Sequence, residues 1–495
     1  MRGHCQELGV ACRSTPIWKA GSSVPAISPA VARSLADTRP LPYWLDQPHA
    51  PQATPPLDGR EHTDLAVIGG GFSGLWTALL AKERDPGRDV VLVEGRRIAW
   101  GGTGRNGGFC AASITHGLSN GLDRFPGEMP TLERLGRRNL DEVEAAVTGY
   151  GIDCDFARTG ELAVATRDWQ LDGLRETARM AHDLGGDPVL LTADEVRAEL
   201  GSPAYLGGLW DRAGCATVDP ARLAWGLRRE CLAAGVRIYE HTPVSGISNA
   251  TGPSGPVVLR TPGGAVFARR VALAAGAFAP LLRRLRYYLV PIYDYVLVTE
   301  PLTSQQLASI GWQHRQGVGE TSNQFHYYRL TSDNRILWGG YDAVYYYGSK
   351  IKAALDQRPT TFALLAEHFF ATFPQLDGLR FTHAWGGVID TCSRFCAFFG
   401  TARTGRLAYV AGYTGLGVGA SRFGANVLLD LLSGETTELT ELALVRTRPI
   451  PFPPEPLRSV GIQLTRASLA AADRNDGRRN LWLRTLDRAG LGFDS

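Results

Sequence analysis

Apolar and polar positions change period several times along the chain, and those changes outline its elements. Residues 64–68 (DLAVI) run apolar into three glycines, the pattern of a strand buried on both faces. The next stretch, FSGLWTALLAKE, spaces Leu75, Leu79 and Leu80 for one face of a helix. Asp85, Pro86 and Gly87 break that helix, and DVVLVEG supplies a second buried strand. Together they predict a strand–helix–strand unit of about 30 residues. Further on, a helix over 169–184 separates short strands at GELAVAT and YLGGLW. Asp219 before Pro220 reads as an N-cap with proline at the first helical position, and the helix it heads feeds a strand at RIYE. VALAAGAF (271–278) is another buried strand. From 286 to 346 aromatic and β-branched residues dominate and predict an antiparallel sheet. A strand, glycine turn and long helix return at RLAYVAGYTGLGVGASRFGANVLLDLL.

This order predicts an α/β protein in which one domain is discontinuous. A nucleotide-binding, Rossmann-like domain is expected from residues 41–150, 217–285 and 399–440. Residues 151–216 and 286–398 are expected to form a β-rich substrate domain of antiparallel sheet plus helices. Residues 441–495 read as a helical extension that caps the first domain or meets a second subunit. Residues 1–40 read as a disordered arm, since Pro25 and Pro29 interrupt its one candidate apolar stretch. Composition narrows the class further. A net charge of +3 over 495 residues gives no case for nucleic acid, and no apolar run reaches the roughly 18 residues of a membrane span. The eight cysteines are scattered, which suits reduced thiols and a cytoplasmic protein. Cys392 and Cys396, with His383 upstream, lack the second ligand pair of a zinc site, so no metal is expected.

The first strand–helix junction carries GxGxxG at Gly69, Gly71 and Gly74, with Phe72 and Ser73 opening the helix. The first glycine allows a tight turn, the second lets the backbone approach a pyrophosphate, and the third lets helix and strand pack closely. The helix start offers free N–H groups to the phosphates. Glu94 ends the second strand 20 residues after Gly74, where a ribose-binding carboxylate belongs. NAD and FAD both satisfy this pattern. Far along the chain, Gly412, Gly415, Gly417 and Gly419 bring a second turn and helix start into play around Leu416. Backbone donors there suit the edge of a flavin that gains negative charge on reduction.

The run DLAVIGGGFSGLWTALL…VVLVEGRRIAWGGTGRNGG, together with AGYTGLGVGASRFGANVLLDLL, resembles the D-amino-acid-oxidase-type FAD-dependent oxidoreductases. The resemblance extends to their gamma-glutamylputrescine oxidase-like amine oxidases through YWLD, TGELAVAT, YYRLTSDNRILWGG and HAWGGVID. It implies a glutathione-reductase-type FAD domain and non-covalent FAD, because the place of the flavin-linking cysteine falls near Gly386. It implies oxidation of the C–N bond of a small amine or amino acid by hydride transfer to flavin N5. Imine hydrolysis and reoxidation by O2 or another acceptor would follow. A lysine found over the flavin in sarcosine-oxidase-type members is replaced here by Leu337, which leaves a dehydrogenase open as an alternative. A non-catalytic flavin-stabilised binding protein is the third reading, since fold alone does not fix function.

On the same resemblance, Gly101, Gly102, Thr103, Asn106, Gly107 and Gly108 would lie along the cofactor, with further contacts at Val244, Ala275 and Gly276. Arg105 would clamp a phosphate, stand as a cation near flavin and substrate, or form a surface salt bridge. Tyr413, Asp294, Tyr293 and Trp385 are the catalytic candidates, Asp294 as the group that holds a cationic amine. Tyr295, Tyr328 and Trp338 are further candidate cage walls, and His326 and His383 alternative polar groups.

Overall fold

The computed structural model describes residues 27–250, 252, 255–278 and 280–492. Most of the expected arm, residues 1–26, lies outside that range. Its remainder is ordered: Pro29–Ser34 is a helix capped by the Ser28 hydroxyl, and Val31 and Leu35 are buried. The expectation of a disordered 27–40 is therefore corrected, because two apolar side chains one helical turn apart found a core to enter.

The nucleotide sheet is built around the parallel strand Gly59–Ile68, between Val90–Val93 and Gly264–Leu273. Leu407–Ala411 adds on beyond Gly264–Leu273, and Arg237–Tyr239 beyond Val90–Val93. Side chains alternate between two cores. Val67, Leu92, Ala272 and Val410 pack with the helices Phe72–Arg84, Pro220–Ala233 and Gly417–Ser433. Ala66, Val91, Val271 and Tyr409 pack into the opposite core. Burial on both faces explains the unbroken apolar runs. The strand expected over 271–278 ends at Leu273, and the chain turns out of the sheet at Ala274. Asp219 caps its helix by accepting from the N–H groups of Ala221 and Arg222.

Among the described residues the second sheet has nine strands, and Val290–Thr299, near one edge, pairs with three of them. That strand pairs antiparallel with Ile336–Gly340 and, over most of its length, with Phe381–Thr391. His326–Leu330 continues the sheet beyond Ile336–Gly340. One face is covered by the helix Pro359–Thr372, whose Phe362, Leu365 and Phe369 are buried against it. The other face looks toward the 99–108 loop. The C-terminal helix Leu457–Arg474 lies on this second domain, where Asp473 accepts from the backbone of Asn323 and Gln324 and Arg466 pairs with Asp342. Among the described residues no helix is long and apolar enough to cross a membrane.

Candidate active site

The dinucleotide loop shows why each glycine is needed. Gly69 has φ +111°, and a Cβ there would lie 2.4 Å from the Ala274 carbonyl. A Cβ on Gly74 would lie 1.8 Å from the Gly69 carbonyl oxygen. At Gly71 only the Thr103 hydroxyl stands near, at 2.9 Å. Two glycines thus serve close packing against backbone, and at the middle glycine of this cradle a Cβ would press on the Thr103 side chain alone. That Thr103 hydroxyl accepts from the Phe72 N–H at 3.1 Å. Glu94, at the end of the second strand, accepts from the N–H groups of Gly70 and Arg96. Burial pushes its carboxyl up, and those donors oppose the rise. Gly276, with φ +56°, Gly415, with φ +97°, and Gly417 have no atom close enough to obstruct a ligand. Ala275 closes against Gly69, and Val244 packs at the edge of the neighbouring core. The cradle fits a pyrophosphate, and the open turns beyond it fit a flat ring.

The WGGTGRNGG loop divides in two. Gly101 meets only the Phe278 ring and Gly102 only the Val388 carbonyl, at 3.0 and 3.6 Å. Gly104, Gly107 and Gly108 are instead closed by protein: Leu45 and the Ala99 carbonyl, the Tyr327 ring, and the Val218 carbonyl with Arg329. Asn106 braces the turn, donating to the Gly102 and Thr103 carbonyls and accepting from the Gly108 N–H. Asn106, Gly107 and Gly108 therefore shape the loop. Trp44 holds the loop from outside, its Nε1 donating to the Asn106 carbonyl at 2.8 Å.

Arg105 points away from the phosphate cradle. Its guanidinium donates to Asp356 at 2.9 Å and to the carbonyls of Gly386 and Trp100, and its side chain is 9% exposed. Its ion pair is largely covered rather than lying on the surface. It ties the loop to the 353–357 segment and lines a cavity of about 350 Å³ with Trp100, Trp225, Asp356 and Trp385.

Strand alternation sorts the aromatic candidates. Asp294 shares a face of its strand with Val296 and Val298, and the register places Gly387, Trp385 and His383 on that face too. Tyr327, Leu337 and Gly339 join them from the neighbouring strands. Gly387 lies against the Arg105 side chain and Tyr327 against Gly107, so this face meets the 99–108 loop. Asp294 is partly buried there and accepts from the Tyr327 hydroxyl at 2.5 Å and from the Tyr295 N–H. Burial raises its carboxyl to about 6, against the pull of those donors. Trp385 donates to the Arg105 carbonyl. His383 lies at the far end of the face, beside Asp46.

Tyr293, Tyr295, Tyr328, Trp338 and His326 face the other way, into the core under Pro359–Thr372 or beside it. Tyr293 is thereby removed from the expected site, and its hydroxyl contacts the Lys352 backbone. Tyr413 also turns inward: its hydroxyl accepts from Ser73 and lies over Gly424, between the two nucleotide-domain helices. Ser73 is thus engaged by protein. Tyr327, Asp356 and Trp44 were not singled out by sequence, although the alternation that selects Asp294 would select Tyr327 once the register was known. Cys392 and Cys396 are buried free thiols, and no metal-ligand group of three occurs among the described residues.

A parallel nucleotide sheet, an open glycine cradle and a second glycine turn at a helix start, facing an antiparallel sheet, define an FAD-dependent oxidoreductase. The chain belongs to the family described as DAO, FAD dependent oxidoreductase, which matches residues 64–431. It is 32% identical to gamma-glutamylputrescine oxidoreductase of Escherichia coli over 395 residues, covering 78% of this chain and 88% of that protein. It is 27% identical to the probable oxidoreductase OrdL of Haemophilus influenzae, covering 80% and 89%. Among solved structures, glycine oxidase from Geobacillus kaustophilus aligns with a TM-score of 0.65 at 21% identity, over 78% of this chain and 99% of that one. L-Proline dehydrogenase from P. horikoshii gives 0.64 at 18%, over 77% and 96%.

Proposed function

We propose that the protein oxidises the C–N bond of a small amine or amino acid, with Asp294 as the group that receives the amine. Bound FAD supplies the two-electron chemistry at its N5, by hydride from the carbon bearing nitrogen. The observation that carries the reading is a partly buried carboxylate on the face that meets the 99–108 loop. Leu337, Val296 and Trp385 make the rest of that wall apolar and exclude water. In such surroundings an ammonium loses its proton more readily, and Asp294 can hold the cation and accept that proton. Tyr327 fixes the carboxylate's orientation. The relatives named for an amine substrate and for glycine support the same substrate class.

The test is an anaerobic screen of the FAD-loaded protein with amines and amino acids. Bleaching of the flavin band by at least one supports the reading, and a complete lack of bleaching across a broad panel contradicts it. A specific observation favours an acceptor other than O2. Leu337, where sarcosine-oxidase-type members carry a lysine, offers no cation and is packed with Trp44, Val298 and Trp385, and the arginine on that face of its neighbour strand, Arg329, donates to the Gly108 and Val218 carbonyls. Colour that stays bleached when air is admitted selects the dehydrogenase form. Gly386 offers no thiol, so acid precipitation is expected to release the flavin.

A further inference from the structure

The turn 412–417 was expected to present its backbone donors to the flavin edge, yet part of it is already occupied. Gly412 and Thr414 both have positive φ, +76° and +51°, on either side of Tyr413. Such a conformation gathers successive N–H groups into an anion-binding concavity. The anion in it is the side chain of Asp390, from the end of the strand Phe381–Thr391. Gly412 donates to its Oδ2 at 2.7 Å, and the Thr414 N–H donates to the Asp390 backbone carbonyl at 3.3 Å, so the turn grips this residue by both side chain and main chain. The Thr414 hydroxyl completes the turn, donating to the Gly412 carbonyl and accepting from the Cys392 N–H. Burial raises the Asp390 carboxyl to about 6, and the backbone donors hold it from rising further. Among the described residues no arginine pairs with it: Arg394, four residues on, donates to the carbonyls of Cys396, Ala397, Leu444 and Thr447.

Beyond the filled concavity the donors are free. Leu416 N–H returns to the Tyr413 carbonyl, and Ala420 is the first residue whose N–H bonds back along the helix, to Leu416. The N–H groups of Gly415, Gly417, Val418 and Gly419 have no acceptor among the described residues. The turn therefore has a protein-facing half, filled by Asp390, and a half left to a ligand.

We propose that Asp390 is a positioning residue for the flavin: its carboxylate fixes the 412–414 turn so that the donors of residues 415–419 meet the flavin edge, and its charge holds the reduction potential below the value that turn would otherwise give. A carboxylate behind the edge that gains charge on reduction disfavours the reduced form, and the helix start in front favours it. The inference rests on FAD lying at this turn and is independent of the amine reading.

The test is the reduction potential of FAD-loaded protein with Asp390→Asn, measured by dye equilibration, with no amine present. Sulfite binding gives a second reading, since sulfite adds reversibly to oxidised flavin and leaves negative charge on the same edge. The expected result is a higher potential, about tenfold in the reduced-to-oxidised ratio, or about 30 mV for a two-electron couple, and sulfite bound about tenfold more tightly. Asp390→Glu, which keeps the charge, should stay near wild type in both. Asp390→Ser is a second uncharged variant, so the reading does not hang on one substitution folding. An unchanged or lower potential in the uncharged variants, or equal shifts in Asp390→Glu and Asp390→Asn, would overturn the proposal.

Discussion

The two faces of the strand Val290–Thr299 differ more in chemistry than in composition. Both are buried and rich in aromatic neighbours. The face toward Pro359–Thr372 holds Tyr293, Tyr295, Tyr328 and Trp338, whose polar atoms bond to other protein groups or remain unbonded in the core. The face toward the 99–108 loop holds the carboxylate Asp294, with the Tyr327 hydroxyl on it and His383 at its far end, in an aliphatic and indole wall. The difference shows that an aromatic-rich sheet is not itself a cage. One register position separates a residue that builds the core from one that faces the 99–108 loop.

Substitutions on the two faces should separate stability from turnover. The largest effect on stability is expected from Trp338→Ala, which empties a fully buried site stacked on Tyr328 and His326. A loss of about 3–5 kcal/mol in chemical denaturation is expected; a loss as small as a surface substitution gives would break the comparison. Asp294→Asn should act oppositely, lowering kcat/KM by about a hundredfold or more while leaving the melting temperature nearly unchanged. Tyr327→Phe removes the donor to Asp294 and should cost about tenfold in turnover.

The pH dependence sharpens the same contrast. Burial makes the folded protein favour the protonated acid, so the Asp294 carboxylate is present above about 6 and lost as pH falls through that value. The kcat/KM of the wild type should rise with pH through about 6, and Asp294→Asn should lack that limb. Because Asp390 is raised to a similar value, a limb that survives in Asp294→Asn would point to the other carboxylate.

The nucleotide half was largely legible in the sequence because its constraints are local. Gly69, Gly71 and Gly74 answer demands of turn, approach and packing within six residues, and Glu94 follows at strand spacing. The second sheet was legible as a sheet but not by face. Where both faces are buried, no polar alternation marks which side a tyrosine occupies, so Tyr293 and Asp294 read as equivalent neighbours. Arg105 stood out among glycines, yet its partner Asp356 lies 251 residues away. Asp390 stood only as the last residue of HAWGGVID, since its role exists only once the strand end meets the 412–414 turn.

The most direct test of the central claim is the rate of anaerobic flavin bleaching at saturating amine in three proteins: wild type, Asp294→Asn and Tyr328→Phe. Tyr328 lies on the opposite face and its hydroxyl meets only that of Tyr205, so its loss should cost about 1 kcal/mol of stability. The account predicts a large fall in bleaching rate for Asp294→Asn and a wild-type rate for Tyr328→Phe. Equal rates in Asp294→Asn and wild type, or a larger fall in Tyr328→Phe, would contradict it.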